Sequence, residues 1–330
     1  MDPRALVAVS GGRDSALAME LMVRAGYRTR AACVDMGAGV PEAARKLAGR
    51  FGCRLLEVDG REDFRREVAA PAAEMLAAGL TPNPCAMCNR GPKMGLLHRM
   101  LLPGEVLATG HYAFAGPEGL RRGVDRSKDQ SYFLAMVRRR VLDRCVMPLG
   151  GWTKQRVTRE AGRLGLPHHR RESMDLCFDP AAGLERPLWK VVDGSGAVLA
   201  DRLGPLLPTV GQRLRLPGMR RRLYCVSVDV AARTLVAGGR EDLLAEGCVL
   251  RDVNDLGMPR SPTFRGSIRI RYRKAPAPCL VYRREGTLEA VFDAPLGAVA
   301  PGQTAAVGVG ERVVAGGVIE GSLKGDDIGQ

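Results

Sequence analysis

Ala5-Leu-Val-Ala-Val9 runs directly into Ser10-Gly-Gly-Arg-Asp-Ser15, and Ala16, Met19, Leu21 and Met22 follow at helical spacing up to Gly26. A short apolar run reads as a buried strand, and apolar residues three and four apart form one face of a helix. The glycine pair between them is therefore a strand-to-helix turn. Glycines let the main chain approach a ligand closely, and a helix N-terminus offers unpaired N–H donors and the positive end of its dipole. Such a junction suits phosphate. Ser10 and Ser15 add hydroxyl donors, and Asp14 adds a carboxylate able to hold a nucleotide-bound metal ion. A plain glycine turn is the bland alternative, but the placement of Ser and Asp around the pair is specific. The Gly-Lys-Ser/Thr ending of an ordinary P-loop is missing.

Outward from this stretch, strands and helices alternate. Residues 28–34 and 53–58 read as strands, 41–51 as a helix with proline in its first turn, and 61–78 as a long amphipathic helix stopped by Gly79. Residues 105–109 form another strand, and Thr153 caps a helix running to Leu164, with Gly165 and Pro167 as stop signals. This order predicts an α/β domain with a parallel, doubly wound sheet. Near Pro180 the texture changes to short β-type runs broken by Gly, Pro and Asp, at 189–192, 224–228, 234–236, 266–273, 288–292, 304–307 and 313–318. The expected division is a catalytic nucleotide-binding domain over 1–180, a small β-rich domain over 181–253 and a β-barrel over 254–330.

The net charge is +14, carried by 43 Arg and only 7 Lys and spread along the whole chain. A spread basic surface suits a polyanion, although an arginine-rich solvated surface reads the same way. The nine cysteines are odd in number, and no signal peptide or long apolar run is present, so a disulfide framework and a membrane span are not expected. A cytoplasmic protein is expected. Most cysteines lie in apolar runs; Cys85, Cys88 and Cys177 do not.

Those three belong to Gly79-Leu-Thr-Pro-Asn-Pro-Cys-Ala-Met-Cys-Asn-Arg90 and Glu172-Ser-Met-Asp-Leu-Cys-Phe178. Between them lie Ala108-Thr-Gly-His-Tyr112 and Lys128-Asp-Gln-Ser-Tyr-Phe-Leu134, and beyond them Thr209-Val-Gly-Gln-Arg213, Ile270-Arg-Tyr-Arg273, Ala300-Pro-Gly-Gln303 and Gly316-Gly-Val-Ile319. Taken alone, C-x-x-C is also a zinc half-site or a redox pair, with His98 as a further zinc ligand.

The Ser10–Ser15 loop looks like the pyrophosphate loop (PP-loop) of the ATP pyrophosphatase superfamily. The blocks together, in this order, closely resemble the bacterial tRNA-specific 2-thiouridylase family over nearly the whole chain. The resemblance implies a PP-loop domain, a small central domain and a C-terminal β-barrel. It implies ATP-dependent 2-thiolation of the wobble uridine of tRNA, with ATP and Mg2+ consumed or bound at Ala8, Val9, Ser10, Gly11, Gly12, Arg13, Asp14 and Ser15. Met36 and Gly110 would lie near the adenosine. Cys88 matches the catalytic nucleophile, Cys177 the persulfide carrier, and Asp14 a catalytic carboxylate. Asn83, Pro84 and Cys85 match the segment that meets the target base. His111, Lys128, Asp129, Gln130, Arg271, Tyr272 and Gln303 match tRNA-contacting positions. The implied partners are tRNA and a sulfur-donor protein, either a persulfide relay or a cysteine desulfurase, acting on a monomer.

The chemistry needs these residue types. Adenylation turns the uracil O2 into a leaving group, and a thiolate or persulfide is a strong nucleophile toward C2. Two cysteines are needed, one to carry sulfur and one to release it by disulfide formation. Where many relatives have Asp, this chain has Cys85, so Cys85, Cys88 and Cys177 also offer three thiolates for a [4Fe–4S] cluster. Arg202 stands where His is usual and Pro208 where an aromatic residue is usual. The competing readings are another tRNA-acting PP-loop ligase, for which three cysteines have no use, and an inactive tRNA-binding protein, against which the intact Ser10, Asp14, Cys88 and Cys177 argue.

Overall fold

The computed structural model describes residues 2–167, 177–204 and 207–325. Its first part alternates β1 (Arg4–Ala8), α1 (Arg13–Arg24), β2 (Arg28–Asp35), α2 (Glu42–Arg50) and β3 (Leu55–Asp59). Then come α3 (Arg61–Phe64) and α4 (Ala70–Ala77), α5 (Pro84–Cys88) and α6 (Met94–Arg99), and β4 (Glu105–Ala108). A short hairpin of β5 (Ala113–Phe114) and β6 (Leu120–Arg122) leads through α7 (Ser131–Leu134) and α8 (Arg139–Leu142) to β7 (Cys145–Val146) and α9 (Lys154–Arg163). Five of these strands make a parallel sheet in the order β3-β2-β1-β4-β7. In β1, Leu6 packs to one face and Ala5 and Val7 to the other, all fully buried, as the two-residue period of a strand with both faces covered requires. The sheet order reverses beside β1, and in such folds the crevice beyond the C-terminal strand ends at that point is where ligands bind.

The helix expected over 61–78 is present with one modification. A π turn, Arg65–Ala69, joins α3 to α4, and Ala70 N–H bonds to the Arg65 carbonyl. Pro71 follows at once and has no N–H to give, so a wider turn here costs the helix little. A second π turn, Asn89–Lys93, contains Pro92 and joins α5 to α6. Pro84 of α5 and Pro92 of this turn hide a helical stretch that residue spacing does not reveal.

The β-rich half forms two sheets. β8 (Trp189–Val192), β9 (Val198–Leu203), β10 (Arg213–Leu214), β11 (Leu223–Asp229) and β12 (Thr234–Gly238) pair in the order β10-β11-β12-β8-β9. β13 (Leu244–Asp255), β14 (Thr263–Arg269), β15 (Ala277–Arg283), β16 (Leu288–Gly297), β17 (Thr304–Val309) and β18 (Arg312–Leu323) pair antiparallel, and β13–β18 pairing closes them into a barrel. Closure leaves no free edge among these six. The hairpin β5–β6 is annexed to the barrel through Arg121–Arg312 and Leu120–Val313, so part of the first 180 residues belongs to the last sheet. β13 runs across the 253/254 point where the texture of the sequence suggested a break. The strand expected over 266–273 ends at Arg269, and Arg271–Tyr272 lie in the turn beyond it. No helix among the described residues is long and apolar enough to cross a membrane.

Candidate nucleotide and sulfur-transfer site

Ala8 ends β1, and Val9 N–H still bonds to the Ala32 carbonyl of β2. The chain then turns through Gly11, whose φ of 74° favours glycine, and Gly12 stands at the N-cap of α1. Ser10 N–H donates to Ser15 Oγ at 3.1 Å, and Ser15 Oγ donates to the Gly12 carbonyl at 2.9 Å, so the loop bonds to itself. Arg13 reaches Thr158 of α9. Asp14 is the second residue of α1, where a helix N-terminus stabilises a carboxylate. Its Oδ1 accepts from the Tyr112 hydroxyl at 2.8 Å, and Lys154 Nζ lies 2.9 Å from both carboxylate oxygens. Gly110, beyond β4, lies against this junction: a Cβ there would come within 2.9 Å of the Asp14 carbonyl, so no other residue fits without movement.

Met36 follows β2 at the same sheet edge, and its sulfur lies 3.4 Å from the Cys88 thiol. That contact brings α5 to the edge where the phosphate loop opens. Asn83 caps α5 by accepting from Ala86 N–H, Pro84 occupies the first turn, and Asn89 donates to the Cys85 carbonyl while its own side-chain oxygen is buried without a partner. Burial pushes the Cys88 thiol up to about 12 and raises that of Cys85, while Lys93, at the end of the π turn, opposes both shifts. Cys177 is exposed, and electrostatically it acts on both thiols. Next to it, Phe178 packs edge-on against Phe64 at 5.1 Å. The neighbouring π turn places the Glu67 carboxylate over Gly91, so the segments bearing Cys88 and Cys177 share one support. All nine cysteines are free thiols. Among the described residues no three His, Cys, Asp or Glu side chains form a metal-binding group.

The residues matched to tRNA contact fall into two sets. Lys128 is half-buried at a turn held by Asp125. Asp129 is 1% exposed; it accepts from Gly123 N–H and from the main chain and hydroxyl of Ser131, and pairs with Arg269 of the barrel at 2.8 Å. Gln130 is buried and clasps Tyr112 through both main chain and side chain. His111 is buried, with Nδ1 2.7 Å from Thr109 Oγ1, and burial holds its pKa well below the ordinary imidazole value. On the barrel side, Arg271 donates to the Val210 carbonyl of the middle sheet's approach, and Tyr272 stacks on Phe133 at 4.5 Å. The Tyr132 hydroxyl donates to the Thr304 carbonyl at 2.7 Å and shares that proton with Gln303 Oε1 at 3.1 Å. Thr81 N–H bonds to the Pro301 carbonyl, and Gly302 rests on Met75, Leu80 and Thr81. The barrel loop is thus seated on the segment leading to Asn83.

Lys93, Lys154, Tyr112, Tyr132 and Arg269 carry this geometry, and sequence spacing did not single them out. One signal was available for Lys154. A cation in the first turn of a helix opposes the dipole, so its presence there calls for a nearby anion.

The sequence has clear relatives. A family model described as a tRNA methyl transferase HUP domain matches residues 3–180, and one described as an aminomethyltransferase beta-barrel domain matches residues 246–319. The tRNA-specific 2-thiouridylase of Syntrophotalea carbinolica is 37% identical over 344 residues, spanning 95% of this chain and 97% of that protein. The enzyme of the same description from Nitratidesulfovibrio vulgaris is 37% identical over 347 residues, spanning 96% and 99%, and that of a Synechococcus species is 32% identical, spanning 96% and 97%. With this similarity along its full length, the chain belongs to the tRNA-specific 2-thiouridylase family.

Proposed function

We propose that the chain is an ATP-dependent tRNA sulfurtransferase that converts the wobble uridine to 2-thiouridine. The observation that carries the reading is the contact between Cys88 and Met36, which sets a thiol at the sheet edge where the Ser10–Ser15 loop opens. In this reading the uracil O2 attacks the α-phosphate of ATP, and pyrophosphate leaves. The terminal sulfur of a persulfide on Cys177 attacks C2, and AMP departs with the former O2. The Cys88 thiolate then attacks the Cys177 sulfur, forming a Cys88–Cys177 disulfide and leaving the transferred sulfur on C2. A reducing thiol restores the two cysteines, and a sulfur-donor protein, a relay or a cysteine desulfurase, renews the persulfide.

Asp14 offers the hard oxygen ligand that Mg2+ favours, and the ion when bound neutralises phosphate charge. Ser10 to Ser15 bind the phosphates, Met36 and Gly110 border the adenosine, and Asn83, Pro84 and Cys85 face the base. Lys128, Arg271, Tyr272 and Gln303 meet the tRNA. His111, Asp129 and Gln130 are buried and act through the turn they build. The enzyme works as a monomer in the cytoplasm, where thiols stay reduced. The deciding experiment is nucleoside mass spectrometry of tRNA after anaerobic incubation with ATP and a sulfur donor. The reading expects 2-thiouridine with stoichiometric AMP. Unmodified tRNA alongside active donor would overturn it.

A further inference from the structure

Lys154 is one of seven lysines in a chain that otherwise uses arginine, 43 times, for positive charge. It is the first residue of α9 and lies 140 positions from Asp14, yet its Nζ rests 2.9 Å from both Asp14 oxygens. Both side chains are largely shielded, 17% and 14% exposed. The Tyr112 ring lies 5.8 Å from the ammonium, and the Tyr112 hydroxyl binds Asp14 Oδ1. The main chain of Lys154 is fixed, since its N–H donates to Asp125 Oδ2 at 2.9 Å and Thr153 caps the helix through Arg156 N–H. Only the four-carbon stem is left to move, and it ends at the mouth of a phosphate loop whose serines bond to one another and to Gly12.

We propose that Lys154 is a phosphate-binding residue of the nucleotide site, parked on Asp14 until a nucleoside triphosphate arrives. The inference rests on the reading of Ser10–Ser15 as the ATP site. Asp14 is the carboxylate that would hold Mg2+, and a metal ion and an ammonium cannot share one carboxylate face, so Lys154 would leave Asp14 when a metal-bearing triphosphate bound. A shielded ammonium stripped of its partner is costly, and the incoming phosphates are the anion within its reach. Lysine suits the exchange better than arginine. Its compact charge with three rotatable donors fits both a carboxylate and a phosphoryl oxygen, whereas a guanidinium is larger and planar. Once pyrophosphate has left, Lys154 would return to Asp14.

The alternative is a purely structural pair, in which Lys154 only neutralises Asp14. Calorimetric binding of Mg-ATP and of AMP to the wild type, Lys154→Gln and Lys154→Arg separates the two. For Lys154→Gln the expected result is weaker Mg-ATP binding by about tenfold or more, the size of one charge-assisted hydrogen bond. AMP binding, which lacks the β- and γ-phosphates, stays within about threefold of wild type and reports an intact fold. Lys154→Arg falls between. Mg2+ alone should bind Lys154→Gln more tightly than wild type, because Asp14 is released. Equal Mg-ATP affinity for wild type and Lys154→Gln overturns the assignment. A wild type that binds neither nucleotide would instead overturn the ATP-site reading beneath it.

Discussion

The Cys88 thiol lies 3.4 Å from the thioether of Met36, a residue 52 positions earlier in the chain. Met36 leaves the C-terminal end of β2, beside the end of β1 that carries the phosphate loop. One sulfur–sulfur contact therefore couples the helix bearing the candidate nucleophile to the crevice expected to hold the nucleotide. In the reading proposed above, a base activated in that crevice would have this thiol beside it.

Cys88→Ser and Cys177→Ser should each abolish 2-thiouridine formation, lowering yield by about 1000-fold or more, as loss of a covalent nucleophile does. ATP binding should survive in both, because the phosphate loop uses neither side chain. Nucleoside mass spectrometry and nucleotide calorimetry on the same preparations check this. Near-normal thiolation in either variant would remove that cysteine from the chemistry.

The two thiols should differ in reactivity when no tRNA is bound. Cys88 is pushed up to about 12 by burial, so at neutral pH it is protonated, and its alkylation rate should climb with pH through 10 and beyond. Cys177 is exposed and should be alkylated first. Iodoacetamide labelling followed by peptide mass spectrometry across pH 7–10.5 gives both rates. Faster labelling of Cys88 than of Cys177 at pH 7 would contradict the burial argument. Lys93→Met, which removes the cation opposing that shift, should slow Cys88 further.

Tyr132→Phe should destabilise the protein by about 1–3 kcal/mol, since it leaves the buried Thr304 carbonyl and Gln303 short of a partner. It should also weaken the seating of the barrel loop on the segment before Asn83. Chemical denaturation reads the first effect. The second should appear as a higher KM for tRNA with ATP affinity unchanged.

His111 gives a pH signature. Its folded pKa is held well below the ordinary value near 6.5, so the folded chain binds fewer protons than the unfolded one. The associated stability is present above about pH 6.5 and is lost as pH falls below it, at up to about 1.4 kcal/mol per pH unit. His111→Asn should be less stable at pH 7.5 but should flatten the decline between pH 6.5 and 5. Parallel urea titrations at several pH values test this, and parallel declines in both proteins would refute it.

Affinity for tRNA should fall steeply with salt. The +14 charge is spread over the chain, and each phosphate neutralised on a single strand adds about 0.7 to the slope of log affinity against log salt. A filter-binding series from 50 to 300 mM KCl gives that slope, and a flat plot would mean that the basic surface does not meet the RNA.

Residue order alone determined the strand, phosphate loop and helix at 4–24, the alternation that gives a parallel sheet, the turn to β structure after residue 180, and the cysteine motifs. These are local: dihedral preferences, two-residue and 3.6-residue burial periods and glycine turns act over a few positions. The helix over 84–99 escaped notice because Pro84 and Pro92 mimic a loop, and a π turn absorbs the second proline. Pairings across long stretches of chain were decided only by the tertiary structure. Lys154 meets Asp14 across 140 residues, Tyr132 meets Gln303 across 171, and the hairpin β5–β6 is lent to the barrel. The same structure turned Asp129 and His111 inward, although their motifs mark them as RNA contacts. Such outcomes depend on strand order and on which surfaces bury one another, and these follow from the free energy of the packed whole, which no short window of sequence contains.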